Sequence, residues 1–547
     1  MSCHSYRRRK VPKKNIRLKD AQETILETVN LVADTVTETM GPGGRNVMTT
    51  TPSGAPVVTK DGVTVANSIE LEDEEKDLIC KIIKEAANRT NKEAGDGTTT
   101  SIALTRALFA EGHKYVKAGH NVTQIKREID KGRRKVLGSL KDFTKVIDST
   151  DKGIMYKKLL DIATISMNGE TEIAELVAKA ISDAGRYGIV NVTENIEDEN
   201  VLEKEGGIKL NQGWASPFFN TDRSGKRIVL ENCRVLITSH KLQNASQLKD
   251  IEEALKPLIK DASPLLVISS ECSNEFLSNL VANNKQGRLV NCAIRPPYFG
   301  NIRKEFFTDL GIITGGTVVE AEQGHSLERV KFEHLGFAKR VEITDTTTTI
   351  IGGAGDEAAI EERIKGLGAE MDEVGFKDLN KVEERLAKLA GGVVLIKLAK
   401  QANIEMEERR HRIEDAVNAC KAALEDGIVP GGGAALVKAS QCLDDEILGE
   451  RILKEACTAP MRKIAENAGF SGDVAIYMVS KETDDHETIN ALTRQKVDAF
   501  EDGIIDPVKV TRYALANAVS VAGILLTTNV LISDIPVDLP PNPYGVY

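Results

Sequence analysis

The middle of this 547-residue chain has a different sequence pattern from its two ends. From about residue 206 to 392, short apolar runs such as residues 265–268 alternate with helical patterns, which is typical of an α/β domain. On both sides, in residues 21–40 and 413–424, apolar residues instead recur at helical spacing. The pattern predicts an α/β region inserted into a mainly helical one, and the length leaves room for about three or four domains.

Glycine pairs stand at both borders of the central region. Gly206-Gly207 precedes it and Gly391-Gly392 ends it. Glycine tolerates large changes in φ and ψ, so both pairs are candidate hinges. Ordinary turns explain such pairs equally well, and the sequence leaves the two interpretations open.

Charge is distributed unevenly. The net charge is −10, but the basic arm at positions 1–19 carries eight Lys and Arg and no Asp or Glu, so removing its +8 leaves −18 on the remainder. Aromatic residues make up only 4%, which argues against a surface that stacks nucleic-acid bases, and we expect no nucleic-acid partner for the body. The basic arm could bind RNA or act as a localisation tag, although a solvated tail is the commoner meaning of such a segment.

The cysteines and one long apolar stretch indicate a soluble protein. The eight cysteines form no C-x-x-C pair and no zinc pattern, so we interpret them as reduced, mostly buried thiols. Residues 513–533 lack charges and could span a bilayer, but six are Asn, Ser or Thr, and we predict a buried helix followed by an apolar strand. With no recognisable secretory signal, we expect a cytoplasmic protein without a membrane partner.

Residues 95–100, Gly-Asp-Gly-Thr-Thr-Thr, separate a predicted helix over about residues 71–94 from another that runs toward Lys117. Backbone N–H groups and the dipole at a helix N-terminus favour an anion, and threonine hydroxyls can donate to phosphate oxygens. Asp96 could hold Mg²⁺, and the flanking glycines let the backbone come close to a ligand. A capped helix after a loop is the commoner meaning of the same pattern.

Two further segments could face a nucleotide. Residues 39–42, Thr-Met-Gly-Pro, expose backbone where the first predicted helix ends. Residues 60–62, Lys-Asp-Gly, offer a cation and a carboxylate, although Asp-Gly is more often a hairpin turn. The Walker A pattern G-x-x-x-x-G-K-[ST] is absent, so a bound nucleotide would need a different cradle.

Asp415 is a candidate general base. It follows Ile413 by two residues, or about 200° on a helix, so its carboxylate faces away from the packed side. Such an acid is usually solvated, but it could equally be delivered to a site from outside.

A second glycine-rich segment, residues 352–356, has the sequence Gly-Gly-Ala-Gly-Asp. We interpret it as a turn before a helix rather than a phosphate loop.

Apolar stripes at helical spacing occur twice in the central region. They are formed by Leu248, Ile251, Leu255 and Leu258, and by Phe276, Leu277, Leu280 and Val281. Packed core is the usual meaning of such stripes.

Together these segments resemble the group I chaperonins, the GroEL-type family, over about residues 15–536. The matching runs, in order, are TMGPGGRNV at 39–47, TKDGVTVA at 59–66, AGDGTTT at 94–100, KLAGGV at 388–393, GGG at 431–433 and GIIDPVKVTRYAL at 503–515. Several features diverge from the usual pattern, which suggests a paralogue or a virus-encoded member.

The resemblance implies an α/β multidomain fold with a mainly helical equatorial domain, a small intermediate domain and an α/β apical domain. The implied boundaries are 1–142 plus 426–547, 143–205 plus 394–425, and 206–393. Gly207 and Gly391 match the family's hinge glycines.

The resemblance also implies a site for ATP, Mg²⁺ and K⁺. The residues that match nucleotide-binding positions are Thr39, Met40, Gly41, Pro42, Lys60, Gly97, Thr98, Thr99, Thr100, Gly432, Asn490, Ala491, Ile504 and Asp506. Among these, Lys60 matches the residue near phosphate and K⁺, and Asp506 the acid on the ribose. Asp96 matches the Mg²⁺ ligand. Asp415 matches the acid that swings in to promote hydrolysis, and Asp61 a second acid near the attacking water.

In the family, two apical helices line an apolar groove that binds unfolded clients. The matching client-binding residues are Leu255, Leu277 and Val281, with Trp214, Phe218 and Phe219 as an aromatic cluster beside them. An exposed apolar groove binds unfolded chains with little sequence demand, and the loop of a lid protein can compete for it.

The implied function is an ATP-driven protein-folding chaperonin, an ATPase that encloses clients in a closed ring of seven subunits, with a small lid co-chaperonin as a further partner. The alternative is a paralogue that holds or scaffolds clients without ATP. The presence of Asp61, Asp96 and Asp415 argues against that alternative.

Some interface charges depart from the family pattern. Ser471 stands where an acid usually joins two rings through a salt bridge, so Arg462 lacks its expected partner. Gln212 and Asn403 replace an ion pair between subunits. Because interface charges influence cooperativity and ring pairing, a single ring, or rings that separate during the cycle, is a hypothesis for this chain.

Overall fold

The structure is a computed structural model that describes residues 13–17, 19–50, 56–148, 151–167, 169–185, 188–194, 199–220, 227–298, 300–373, 382, 385–386, 388–389, 393–399, 403–480 and 485–534. The chain forms two compact units. Residues 1–179 and 401–547 make up the first unit, and residues 180–400 make up the second. The division into three domains stays a prediction, and the glycine pair at 391–392 lies outside the described residues.

The N-terminal part of the first unit is mainly helical. Its elements are β1 (Lys13–Arg17), α1 (Lys19–Thr37), β2 (Val47–Thr50), β3 (Pro56–Thr59), α2 (Gly62–Ser68), α3 (Glu74–Ala94), α4 (Thr98–Lys117), α5 (Val122–Ser139), α6 (Lys152–Ser166) and α7 (Thr171–Ala184), the last of which extends into the second unit. The predicted apolar face of α1 is confirmed, because Ile25, Val29, Val32 and Val36 are all buried. Each such side chain stabilises the fold by about 1.5–3 kcal/mol.

The described residues of the second unit form two sheets. Its elements are β4 (Ile189–Glu194), β5 (Val201–Glu205), β6 (Gly207–Leu210), β7 (Ile228–Leu242), α8 (Ser246–Asp250), α9 (Glu252–Lys260), β8 (Leu265–Cys272), α10 (Asn274–Lys285), β9 (Asn291–Ile294), α11 (Gly300–Thr314), β10 (Gly336–Ile343), β11 (Thr348–Gly353), α12 (Glu357–Glu373) and β12 (Val393–Leu398). Six strands form one sheet in the order β6-β11-β10-β7-β8-β9, and three form another in the order β4-β12-β5.

The larger sheet confirms the predicted α/β character of the central region. Strands β7, β8 and β9 are parallel, and the helices α8 to α10 lie in the connections between them. The apolar start of β8 is fully buried, as expected for a central strand that is covered on both faces. The first two residues of the 352–356 segment belong to β11 and the other three connect it to α12, so the segment precedes a helix as predicted but begins as strand.

The C-terminal part returns to the first unit. Its elements are α13 (Asn403–Asp426), β13 (Ile428–Pro430), α14 (Ala434–Ala439), α15 (Leu448–Cys457), α16 (Ala459–Asn467), α17 (Gly472–Ser480), β14 (Glu487–Asn490), β15 (Gln495–Asp498), β16 (Ile505–Pro507), α18 (Val508–Thr527) and β17 (Val530–Asp534). Strand β17 pairs antiparallel with β1, with Lys13 opposite Asp534, so the two ends of the described chain share a sheet.

The uncharged stretch folds as predicted, into the buried helix α18 followed by the strand β17. By length and composition α18 could cross a membrane, but 67% of its most apolar window is buried within the protein. Seven cysteines lie in described positions. All seven are free thiols, and all except Cys442 are buried, which confirms that interpretation for these seven.

Candidate active site

Two glycines shape the loop between α3 and α4. Gly95 ends α3 at φ +75°, and Gly97 begins α4 at φ +85°, both in the left-handed region that favours glycine. A Cβ on Gly97 would lie 2.6 Å from Val510 Cγ1, so a side chain does not fit there. No side chain caps α4, and its first N–H groups can therefore receive an anion.

Asp96 lies between these glycines as a half-buried carboxylate. Burial raises its pKa, and the negative charge of Asp61 raises it further, whereas a hydrogen bond from the N–H of Gly97 acts in the opposite direction. A partly desolvated carboxylate beside a second acid is a favourable position for a cation.

Asp61 begins a helix, so the hairpin-turn interpretation of Asp61-Gly62 is wrong. Its Oδ1 accepts a hydrogen bond from the N–H of Val63 at 3.1 Å, and its Oδ2 accepts from the N–H and the hydroxyl of Thr64 at 2.8 and 2.6 Å. These bonds cap α2. A Cβ on Gly62 would lie 2.1 Å from Thr99 Oγ1, which shows that the start of α2 packs against the first turn of α4.

Asp415 joins these acids from α13. Ile413 is fully buried and Asp415 is half-buried, so the acid does turn away from the packed side of the helix. The pKa of Asp415 is raised well above its ordinary value, first by burial and then by the charges of Asp96, Asp61 and Glu414. The interpretation as a merely solvated acid is therefore wrong, because the structure places Asp415 within the electrostatic reach of Asp96 and Asp61.

Asp506 lies at the other end of the same region. It sits on β16, directly opposite Val429 of β13. Burial raises the pKa of Asp506 to about 7, and the charge of Asp96 contributes to the shift, while hydrogen bonds from the N–H groups of Gly432 and Gly433 oppose it. The glycine run after β13 therefore donates backbone hydrogen bonds to Asp506, with Gly432 at φ +67° and Gly433 at φ +83°.

Residues 39–42 follow α1 as a loop held by α16. The side-chain amide of Asn467 donates hydrogen bonds to the carbonyls of Thr37 and Met40, both at 2.9 Å. Gly41 has φ +76°, so the chain reverses direction there. The sequence analysis did not identify Asn467 as a residue that holds this loop. The only local indication of such a role is its position at the end of a helix.

The hairpin β14–β15 places the predicted base-contacting pair. Asn490 Oδ1 accepts from the N–H groups of Leu492 and Thr493, and its Nδ2 donates to Asp502 at 2.8 Å. The hydroxyl of Thr488 donates to the carbonyl of Gly431 at 2.9 Å, which ties the hairpin to the glycine run. The role of Asp502 was also missed, because no sequence pattern links it to Asn490.

The remaining predicted residues lie in the same unit. Lys60 and Ile504 are half-buried, and Ala491 is buried. Within the described ranges, no group of three or more His, Cys, Asp or Glu side chains could hold a metal ion. Mg²⁺ commonly binds only one or two carboxylates and completes its coordination shell with phosphate and water. Asp96 can therefore serve as a Mg²⁺ ligand without a second protein ligand.

The apolar stripes of the second unit are core residues in this structure. Leu255, Leu277 and Val281 are only 7%, 5% and 9% exposed, and they pack with strands β7 to β9 in one cluster. The expected open groove is therefore not seen at these three positions, because their side chains are buried in the core. Their role as client contacts stays a prediction.

The aromatic cluster beside them is divided between core and surface. Phe219 is buried, Trp214 is partly buried against the same core, and Phe218 is 66% exposed. The ammonium of Lys285 lies 5.6 Å from the ring centre of Phe218. Phe218 is thus the predicted client-binding side chain that water reaches most freely.

Arg462 has partners within its own subunit. Its guanidinium pairs with Asp473, and with Glu455 at 3.3 Å, so the missing acid at position 471 does not leave it unpaired. Ser471 itself is exposed.

Comparison with known proteins confirms the family. The model of the TCP-1/cpn60 chaperonin family matches residues 32–536. Two crystal structures of the chaperonin gp146 from the bacteriophage EL 2 (Pseudomonas aeruginosa), both in the presence of ATP-BeFx, align with 95% of this chain and 98% of gp146. Their TM-scores are 0.69 and 0.63, at 25% and 24% sequence identity. The chain therefore belongs to the TCP-1/cpn60 chaperonin family, as a divergent member.

Proposed function

We propose that this chaperonin hydrolyses ATP and uses the cycle to fold client proteins. The observation that carries the proposal is the convergence of Asp61, Asp96 and Asp415 near the N-terminus of α4. A helix N-terminus attracts anions, whereas three carboxylates repel them. Both features are satisfied together by a phosphate chain that carries a bound cation.

The other candidate residues would arrange the nucleotide along this region. The phosphates would accept hydrogen bonds from the N–H groups and hydroxyls of residues 98–100, with residues 39–42 alongside. Asp506 would accept hydrogen bonds from the ribose beside Gly432, and the base would lie against Asn490, Ala491 and Ile504. The crystallisation of gp146 in the presence of ATP-BeFx supports a nucleotide here.

Mg²⁺ at Asp96 and K⁺ near Lys60 would neutralise phosphate charge when bound. Asp415 would orient the attacking water and accept its proton, since a carboxylate with a raised pKa is a better base near neutral pH. Asp61 could hold the same water through its Oδ1 atom, which accepts only one hydrogen bond in capping α2. Because Asp415 is carried on α13, hydrolysis would depend on how closely that helix approaches the loop at residues 95–100.

Family membership implies client proteins and self-assembly into rings, and we propose seven subunits, a reducing cytoplasmic setting and a small lid co-chaperonin.

Two small sheets with exposed edges support assembly. Among the described residues, the sheets β2–β3 and β1–β17 have two strands each, so their outer edges can pair with another copy. Met48 and Ile532 on these sheets are 82% and 54% exposed. ATP-independent holding of clients is the alternative function.

Substitution of Asp415 tests the proposal. Asp415→Ala should bind ATP nearly as well as the natural protein but lose about 100- to 10,000-fold in turnover, because it removes a group that acts on the attacking water. Glu425→Ala, an acid farther along α13, is the matched control and should keep both properties. Equal losses of binding and turnover in Asp415→Ala would contradict the assigned role.

A further inference from the structure

One face of α13 lies along the loop that ends α3. Residues 415, 418 and 422 are spaced by three and four positions, so they share that face. Asn418 on this face lies against Gly95, Asp415 lies within electrostatic reach of Asp96, and Ala422 packs in one cluster with Val510 and with Ala94 at the end of α3. The same face of α13 that approaches Gly95 therefore also carries Asp415.

Gly95 is the point of closest approach. A Cβ on Gly95 would lie 2.4 Å from Asn418 Cβ, 2.8 Å from its Cγ and 3.0 Å from its Nδ2. Carbon atoms in ordinary contact are about 3.5–4.0 Å apart, so a methyl group would require a shift of about 1 Å. The nearest atom is a Cβ fixed to the backbone of α13. A change of rotamer cannot relieve the overlap, and the helix itself would have to move.

We infer that Gly95 is a positioning residue for hydrolysis, because its missing side chain lets α13 bring Asp415 up to the phosphate-binding loop. The inference deepens the proposed ATPase function and rests on it. Misplacement of a catalytic group by about 1 Å can cost about 100-fold in rate. A larger residue at position 95 should therefore impair turnover and leave the binding of nucleotide to α4 intact.

The first test compares two glycines. In Gly95→Ala, turnover should fall by about 10- to 100-fold, while ATP affinity stays within about threefold. Gly119→Ala is the matched control: Gly119 also has a positive φ, at +94°, but a Cβ there would meet nothing within 4 Å. Gly119→Ala reproduces the backbone strain without the steric overlap, so its turnover should equal that of the natural protein.

The second test relieves the overlap from the other side. Asn418→Gly removes the Cβ that a methyl at position 95 would strike, and Asn418→Ala keeps it. Turnover in Gly95→Ala/Asn418→Gly should recover to within about threefold of Asn418→Gly, and it should stay low in Gly95→Ala/Asn418→Ala. This pair also carries the test if Gly95→Ala alone fails to fold.

The outcomes separate the two claims. If Gly95→Ala turns over like Gly119→Ala, or if both double variants are equally inactive, the positioning role of Gly95 is overturned while the ATPase stands. If the natural protein does not hydrolyse ATP, the proposed function itself is overturned and this inference with it.

Discussion

At the scale of single residues, the candidate site is defined by acids that are partly removed from water. Asp96, Asp415 and Asp506 all have raised pKa values, and burial is the main cause for each. The local sequence made Asp96 a candidate Mg²⁺ ligand, although a capped helix after a loop is the commoner meaning of that pattern. It could not place Asp415 or Asp506, since both come from more than 300 residues farther along the chain. Only the family resemblance brought them into the site.

The raised pKa of Asp506 predicts how stability changes with pH in the nucleotide-free protein. The folded state binds this proton more tightly than the unfolded state, so its contribution is present at low pH and is lost as the pH rises toward about 7. Asp506→Asn should remove this loss. Its free energy of unfolding in urea, relative to the natural protein, should rise by about 1–3 kcal/mol between pH 4 and pH 8. A difference in free energy of unfolding that stays constant between pH 4 and pH 8 would contradict this role of Asp506.

At the scale of elements, the sequence predicted the helices and strands whose apolar residues follow a regular spacing. The helices on both sides of residues 95–97 and the α18–β17 pair appear close to where the spacing placed them. The start of α2 was mistaken for a turn, because Asp-Gly is more often a hairpin turn, whereas in the structure the side chain of Asp61 caps a helix. The stripes of α9 and α10 are buried with the sheet, which agrees with packed core as the usual meaning of such spacing and not with the open groove that the family resemblance implied.

The β1–β17 sheet predicts different effects for two truncations. Removing residues 1–12 leaves β1 in place and should change neither stability nor turnover. Removing residues 1–17 deletes β1 and leaves the hydrogen-bonding edge of β17 unpaired, which should lower the free energy of unfolding by about 1–3 kcal/mol. Urea unfolding of both variants is the measurement, and an equal effect of the two truncations would contradict the role of β1. A loss of RNA binding in the shorter truncation would instead support the arm as a nucleic-acid contact.

At the scale of the whole molecule, the chain divides into a mainly helical unit that holds all the candidate nucleotide residues and an α/β unit that holds all the candidate client residues. The sequence predicted this inserted arrangement from the change in pattern at its borders. The pairing of two rings could not be predicted in the same way, because the contacts between rings depend on single charged residues. Arg462 illustrates this, since its pairing with Asp473 and Glu455 is visible only in the structure.

The pairing of Arg462 within its subunit predicts weak contacts between rings. With its charge already neutralised by Asp473, and with a serine rather than an acid at position 471, we expect this position to contribute little to joining two rings. Sedimentation velocity should therefore show single rings in at least one nucleotide state. Ser471→Glu is expected to shift the population toward double rings. Double rings that persist unchanged with and without nucleotide would contradict the prediction.

We propose that ATP hydrolysis at the Asp415 site drives client folding. The most direct measurement is the yield of active protein recovered from a chemically denatured client enzyme, with and without ATP, for the natural chaperonin and for Asp415→Ala. We expect a high yield only for the natural protein with ATP, whereas Asp415→Ala should bind ATP and the client but release little active enzyme. The same yield with and without ATP, or in both proteins, would contradict it and favour a holding function.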